Sequence, residues 1–170
     1  MIYKLLGAAI ITLSCGGFGL SMALAHRKEV RALQSLINAI NFMKCELEYH
    51  CIPLPELCRK TARISQSIIG KFFSELSNAL ESQICPDTKT CVKYALSKMN
   101  YQPRAVRNII LELSDTLGCF NLSGQLDGLV QAVRQAEKVL NELTFEQDVR
   151  LRRYQTLGLC AGAALAILLM

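Results

Sequence analysis

The sequence predicts an all-α protein, a bundle of about six helices whose first and last members extend into two terminal transmembrane helices. Three observations carry this. Both ends of the 170-residue chain are long uncharged apolar stretches, in a composition that is 51% hydrophobic. Between them apolar residues recur at three- and four-residue steps, the spacing of one helix face. No alternation of period two runs long enough for a sheet, and there is no internal repeat and no low-complexity linker.

At the N-terminus, Leu5 to Ala25 is 21 residues without a charge. As a helix that is about 32 Å, against roughly 30 Å of apolar bilayer thickness. A cleaved signal peptide is the rival reading, since Lys4 precedes the apolar run and Ala23-Leu24-Ala25 has the form of a cleavage site. The basic cluster His26-Arg27-Lys28 directly after the run, and the run's length, favour a retained anchor. At the C-terminus, Tyr154 to Met170 is uncharged for 17 residues. That is about 25 Å, a span at the short limit that needs local thinning of the membrane. The expected organisation is therefore a membrane helix over 1–25, a water-soluble helical domain over 26–153 and a second membrane helix over 154–170.

The first domain helix carries Val30, Leu33, Ile37, Ile40 and Leu47 on one side and Lys28, Arg31, Gln34, Asn38 and Asn41 on the other. No Gly or Pro interrupts Ser21 to Ile52, so it continues the membrane helix and ends near Tyr49 or His50, where Pro53 and Pro55 break it. A short helix is expected from Leu54 to Ile64, and another from Ser67 to Glu81 with Ile68, Phe72, Leu76 and Leu80 on one face. Cys85-Pro86-Asp87-Thr88 reads as a turn capping a helix through about Met99. Pro103 suits the first turn of a fifth helix, ending around Leu117 with Gly118 as its stop. Asn121 or Ser123 then caps a last long helix with Leu126, Leu129, Val133, Ala136, Leu140 and Leu143 on its face. Neither Pro nor Gly falls between Gly128 and Gly158, so the second span is expected to extend this helix.

All 14 acidic residues and every Lys and Arg except Lys4 lie between His26 and Arg153. Six basic residues sit at the edges of that region: Arg27, Lys28 and Arg31 at one, Arg150, Arg152 and Arg153 at the other. Without them the domain holds 12 basic residues against 14 acidic. The basic character thus belongs to the membrane flanks, where it meets anionic head groups and marks the cytoplasmic side. It argues against a nucleic-acid partner, as does the lack of Trp and of any basic and aromatic run.

Chemistry is sparse. There is no G-x-S-x-G, and the two His, His26 and His50, stand beside the membrane and at a helix end. Gly16-Gly17-Phe18-Gly19 lies in an apolar segment, where glycine serves helix packing and not phosphate binding. Glu46 and Glu48 point to different faces of a helix. No enzyme, cofactor or small-molecule substrate is expected. Six cysteines, Cys45, Cys51, Cys58, Cys85, Cys91 and Cys119, fall in the domain with no C-x-x-C pair, and Cys15 and Cys160 in the apolar ends. In a cytoplasmic domain they are small buried apolar side chains; in an exported one they would form disulfides. A metal held by Glu46, His50 and Cys51 is a third reading, without the spacing of a structural zinc site. Finally, the membrane segments carry small residues four apart, Gly17, Ser21 and Ala25 in the first and Gly158, Gly162 and Ala166 in the second. Such stripes let helix backbones approach, either each other within the chain or another membrane protein.

Taken in order, these features resemble the stage III sporulation protein AB family of endospore-forming bacteria. The resemblance covers nearly the whole chain. It rests on a short span leading directly into a helix, on Glu46-Leu47-Glu48-Tyr49 followed by Ile52-Pro53-Leu54-Pro55-Glu56, and on Leu117-Gly118 with Gln125 seven residues after that glycine. Its most specific piece is Tyr154-Gln155-Thr156-Leu157-Gly158 leading into Ala166-Ile167-Leu168-Leu169. Related chains usually place an acidic residue soon after the Leu-Gly pair, where this one has Asn121.

That family is similar to the cytoplasmic domain of the inner-membrane platform proteins of type II secretion and type IV pilus machines. The resemblance implies a six-helix domain at the mother-cell face of the outer forespore membrane, in the channel that links mother cell and forespore. It also implies partners: a cytoplasmic ATPase, protein AA of the same operon, other membrane proteins of that operon, and a second copy of the chain. The alternative from another class is an exported or surface-anchored helical domain with disulfides, binding a ligand or metal.

Overall fold

The structure is a computed structural model that describes residues 27–65, 67–99, 103–118 and 121–169, without the side chains of Ser67 and of 146–169. The described residues form six helices and no strand: α1 over 27–50, α2 Leu54–Ile64, α3 Ser67–Glu81, α4 Thr88–Ser97, α5 Arg104–Leu113 and α6 Leu122–Leu169.

Each helix starts and stops where local chemistry dictates. Between α1 and α2 the backbone turns at Cys51, with φ of 47°. Pro53 then caps α2, its carbonyl accepting the first helical bond from the Leu57 N–H at 2.9 Å. Pro103 plays the same part before α5, where its carbonyl accepts from Arg107 N–H at 3.0 Å. It thus stands one residue ahead of the helix and not inside its first turn. Asp87 caps α4 through Thr90 N–H at 3.3 Å. Of the two candidates at the head of α6, Asn121 is the cap: its Oδ1 accepts from Ser123 N–H at 3.1 Å, and its carbonyl from Gln125 N–H.

Two helices stop earlier than expected. α4 ends at Ser97 and α5 at Leu113, each followed by a turn that mixes i→i+3 bonds with the last i→i+4 ones. Hydroxyl groups take the terminal carbonyls there: Ser97 Oγ donates to Tyr94 O, Ser114 Oγ to Leu111 O and Thr116 Oγ1 to Leu113 O.

One core gathers the inward faces of all six helices. α1 contributes Leu33, Leu36, Ile40 and Met43, each without exposed surface. α3 contributes Ile69, Phe72, Phe73 and Leu76, the two rings meeting edge to face at 5.1 Å. Leu57 and Cys58 of α2, Val92 and Leu96 of α4, Ile109 and Ile110 of α5, and Leu129, Ala132 and Ala136 of α6 join it. Fully burying a side chain of this kind contributes roughly 1.5–3 kcal/mol, so the core outweighs any single polar contact in the domain.

The face expected on α6 is buried only in its first part. Leu129 and Ala136 are in the core, whereas Leu126, Val133, Leu140 and Leu143 are half-buried and Phe145 is exposed. The helix outruns the shorter helices that cover it. It then continues without a break across the boundary expected at 153 and 154. Among the described residues no helix is long and apolar enough to cross a membrane. The apolar run 5–25 lies outside the described residues, as do the side chains of 154–169.

Candidate functional site at the helix corners

Two of the stretches that carry the family resemblance fall at corners of the fold. At the first, α1 turns into α2. Glu46 reaches across to Lys60 of α2, Oε2 to Nζ at 3.0 Å, while its Oε1 stands 3.9 Å from His50 Nδ1 one turn along α1. The Glu46 side chain is 17% exposed, so this pair is better shielded than an open surface ion pair. Leu54 packs against the core, Pro53 is exposed as the cap, and Tyr49 stands 78% exposed beside the bend. Glu46 and His50 therefore meet as the helix spacing requires. Glu46 is engaged by Lys60, and Cys51 lies exposed past the end of the helix. Among the described residues no group of three or more metal-ligating side chains converges.

At the second corner, α5 turns into α6. Leu117 is buried and Gly118 takes φ of 86°, a left-handed conformation that suits glycine. Space imposes the same choice, because a Cβ on Gly118 would lie 2.4 Å from Thr88 Oγ1 at the head of α4. Lys89 of α4 binds Asp115 of the same turn, and that hydrogen bond holds the Lys89 ammonium above its ordinary pKa. Gln125 is half-buried one turn into α6. The Leu-Gly pair is thus where α4, α5 and α6 are fastened together.

The basic flanks divide. Arg27, Lys28 and Arg31 are on the first turns of α1, all three exposed. Arg150, Arg152 and Arg153 lie on α6, as do Gly158, Gly162 and Ala166, but their side chains are outside the description; Gly17, Ser21 and Ala25 are outside the described residues altogether.

The five described cysteines are free thiols. Cys58 and Cys91 are buried as expected of small apolar side chains, and burial pushes the Cys58 thiol up to about 12. Cys45 and Cys51 are exposed instead, since their positions on and after the last turns of α1 face away from the core.

The sequence reading missed one feature. α2 and α3 form an antiparallel hairpin, tied by Ser77 Oγ donating to Pro55 O at 2.9 Å. Along its outer face runs an open groove of about 430 Å³, lined by Arg59 and Arg63 of α2 and by Lys71, Ser74 and Asn78 of α3. The four-residue spacing of Arg59 and Arg63 was a visible signal; the contribution of α3 depends on the packing of the hairpin.

By architecture this is a six-helix bundle whose last helix carries the chain from its core into its apolar C-terminal end. The chain belongs to the stage III sporulation protein AB family, whose family model matches residues 4–170. It is 24% identical over 170 residues to the stage III sporulation protein AB of Bacillus subtilis (strain 168), spanning 98% of this chain and 99% of that protein. A solved structure of a stage III sporulation protein AB superimposes with a TM-score of 0.63 at 19% identity, covering 72% of this chain and 98% of that one. That likeness shows the fold. Membership of the family implies a role in sporulation.

Proposed function

We propose that this chain is a non-enzymatic membrane platform subunit of the sporulation channel between mother cell and forespore. Its terminal helices hold it in the outer forespore membrane with the helical domain in the mother-cell cytoplasm. There the domain links a cytoplasmic ATPase, protein AA of the same operon, to the membrane components of a type II secretion-like assembly. The observation that carries this reading is α6. One 48-residue helix begins in the core at Leu129, Ala132 and Ala136 and ends in the uncharged stretch that starts at Tyr154. A helix shared between a core and an apolar end couples the two parts mechanically, as a platform requires. The ATPase link rests on the family resemblance to secretion platforms, which is an argument from fold.

The test is fractionation of sporulating cells, mass spectrometry of the mature N-terminus and a free-thiol count. The expected result is a membrane-bound chain that keeps residues 1–25, with its domain thiols reduced and open to protease from the mother-cell side. Recovery of a chain without those residues and with oxidised cysteines would overturn the platform reading.

A further inference from the structure

We propose that the groove on the α2–α3 hairpin is a docking site for an acidic segment of a partner protein, one that presents several Asp or Glu side chains along a helix or extended strand.

Three cations line this groove. Arg59 and Arg63 stand one helical turn apart on α2, and Lys71 faces them from α3. Arg59 holds Glu81 at 3.6 Å, with the two side chains 52% and 45% exposed, a solvated pair that a competing carboxylate displaces at little cost. Arg63 and Lys71 make no ion pair among the described residues, so their charge is available. Around them Ser74 and Asn78, one turn apart and exposed, offer neutral hydrogen-bond donors.

The floor of the groove is equally specific. Ser65 lines it, and its Oγ is buried with no hydrogen-bond partner among the described residues, an uncommon state for a hydroxyl. Gly70 closes the turn beside it; a Cβ there would lie 2.3 Å from Ser65 O. Glycine at this position lets α3 start against the end of α2 and keeps the groove from being filled.

Size and charge layout choose the occupant. The groove holds about 430 Å³ and its cations are strung along two helices, so they match carboxylates spaced along a chain and not one small anion. No aromatic side chain lines it for stacking a base, which argues against single-stranded nucleic acid. A lipid surface is out of reach in the platform arrangement. Lys60, between Arg59 and Arg63, is bonded to Glu46, and Glu46 lies about 28 Å along α1 from Arg27 at the membrane flank.

The inference deepens the platform reading by naming the chemistry of what docks, and its test does not depend on membrane location. The full-length chain, purified in a neutral detergent, is titrated against a fluorescent poly-glutamate peptide and followed by anisotropy. Binding that weakens with added salt is expected, and at least about tenfold loss in R63E/K71E. R63K/K71R should keep most of the affinity, and the reversal K93E/K98E, at two exposed lysines on α4 and directly after its end, should leave it unchanged. Helical content and melting are compared for each variant, and R63Q/K71Q, which adds no repulsion, supplies the reading if the reversed pair does not fold. Equal weakening by K93E/K98E, or no weakening by either groove variant, overturns the inference. So does binding of inorganic phosphate or phosphatidylglycerol vesicles through Arg63 and Lys71 where the peptide does not bind.

Discussion

Lys60 Nζ lies 3.0 Å from Glu46 Oε2 and joins α2 to the last turns of α1 across the corner marked by Tyr49 and Pro53. It is the only charged contact between those helices among the described residues, and it sits where the family motif begins. Glu46→Gln should lower stability by about 1 kcal/mol, less than a core substitution, because Lys60 keeps water on one side. Thermal melts with and without added salt check this; a variant as stable as the parent would assign the glutamate no part in fixing the corner.

Gly118 is held by two constraints at once, its left-handed backbone and the approach of Thr88. Gly118→Ala should cost about 1–3 kcal/mol. Removing the Thr88 hydroxyl and methyl in Thr88→Ala should return the steric part but not the backbone part. A double-mutant cycle separates them, and strict additivity of the two substitutions would show that Thr88 does not press on this turn.

The thiols should sort by environment. Iodoacetamide applied to the folded chain should modify Cys45 and Cys51 first and leave Cys58 unmodified until the domain unfolds. Folding raises the Cys58 pKa from its ordinary 9.0 to about 12, so the folded state binds this proton more tightly. The associated stability is complete below about pH 9 and drains away as pH rises through about 12. The free energy of unfolding measured across that window should fall less steeply in Cys58→Ala; an identical pH dependence would count against the assignment.

Leu129 is the largest α6 side chain with no exposed surface among the described residues. Leu129→Ala should cost about 2–5 kcal/mol. Phe145→Ala, at a residue 75% exposed on the same helix, should change stability by no more than about 0.5 kcal/mol. Comparable losses at both positions would mean that the outer part of α6 is covered.

If the second span packs as proposed, Gly162→Leu should impair sporulation while the helical domain keeps its melting behaviour. Normal spore counts in that variant would remove the packing role from the small-residue stripe.

Much of this architecture could be read from the chain because its punctuation is local. Pro53 and Pro55 bound α2 on one side, and the spacing of Phe72 and Leu76 defines α3, so both helices fall where expected. The ends of α4 and α5 were less legible, since Ser97, Ser114 and Thr116 compete for the last carbonyls and this depends on rotamers. The family motif located both corners but not their function within the fold: that Gly118 answers to Thr88, 30 residues earlier, follows from packing. The groove was hidden for the same reason, as Lys71 joins Arg59 and Arg63 only once the hairpin closes.

The length of α6 has a geometric consequence. At 1.5 Å per residue its 48 residues make a bar about 72 Å long, with no proline anywhere along it to act as a joint. A tilt of about 5° at the domain end sweeps the far tip through about 6 Å, roughly one helical turn. α6 is built as a lever arm, and a small push on the α5–α6 corner arrives at the other end as a displacement on the scale of a side chain.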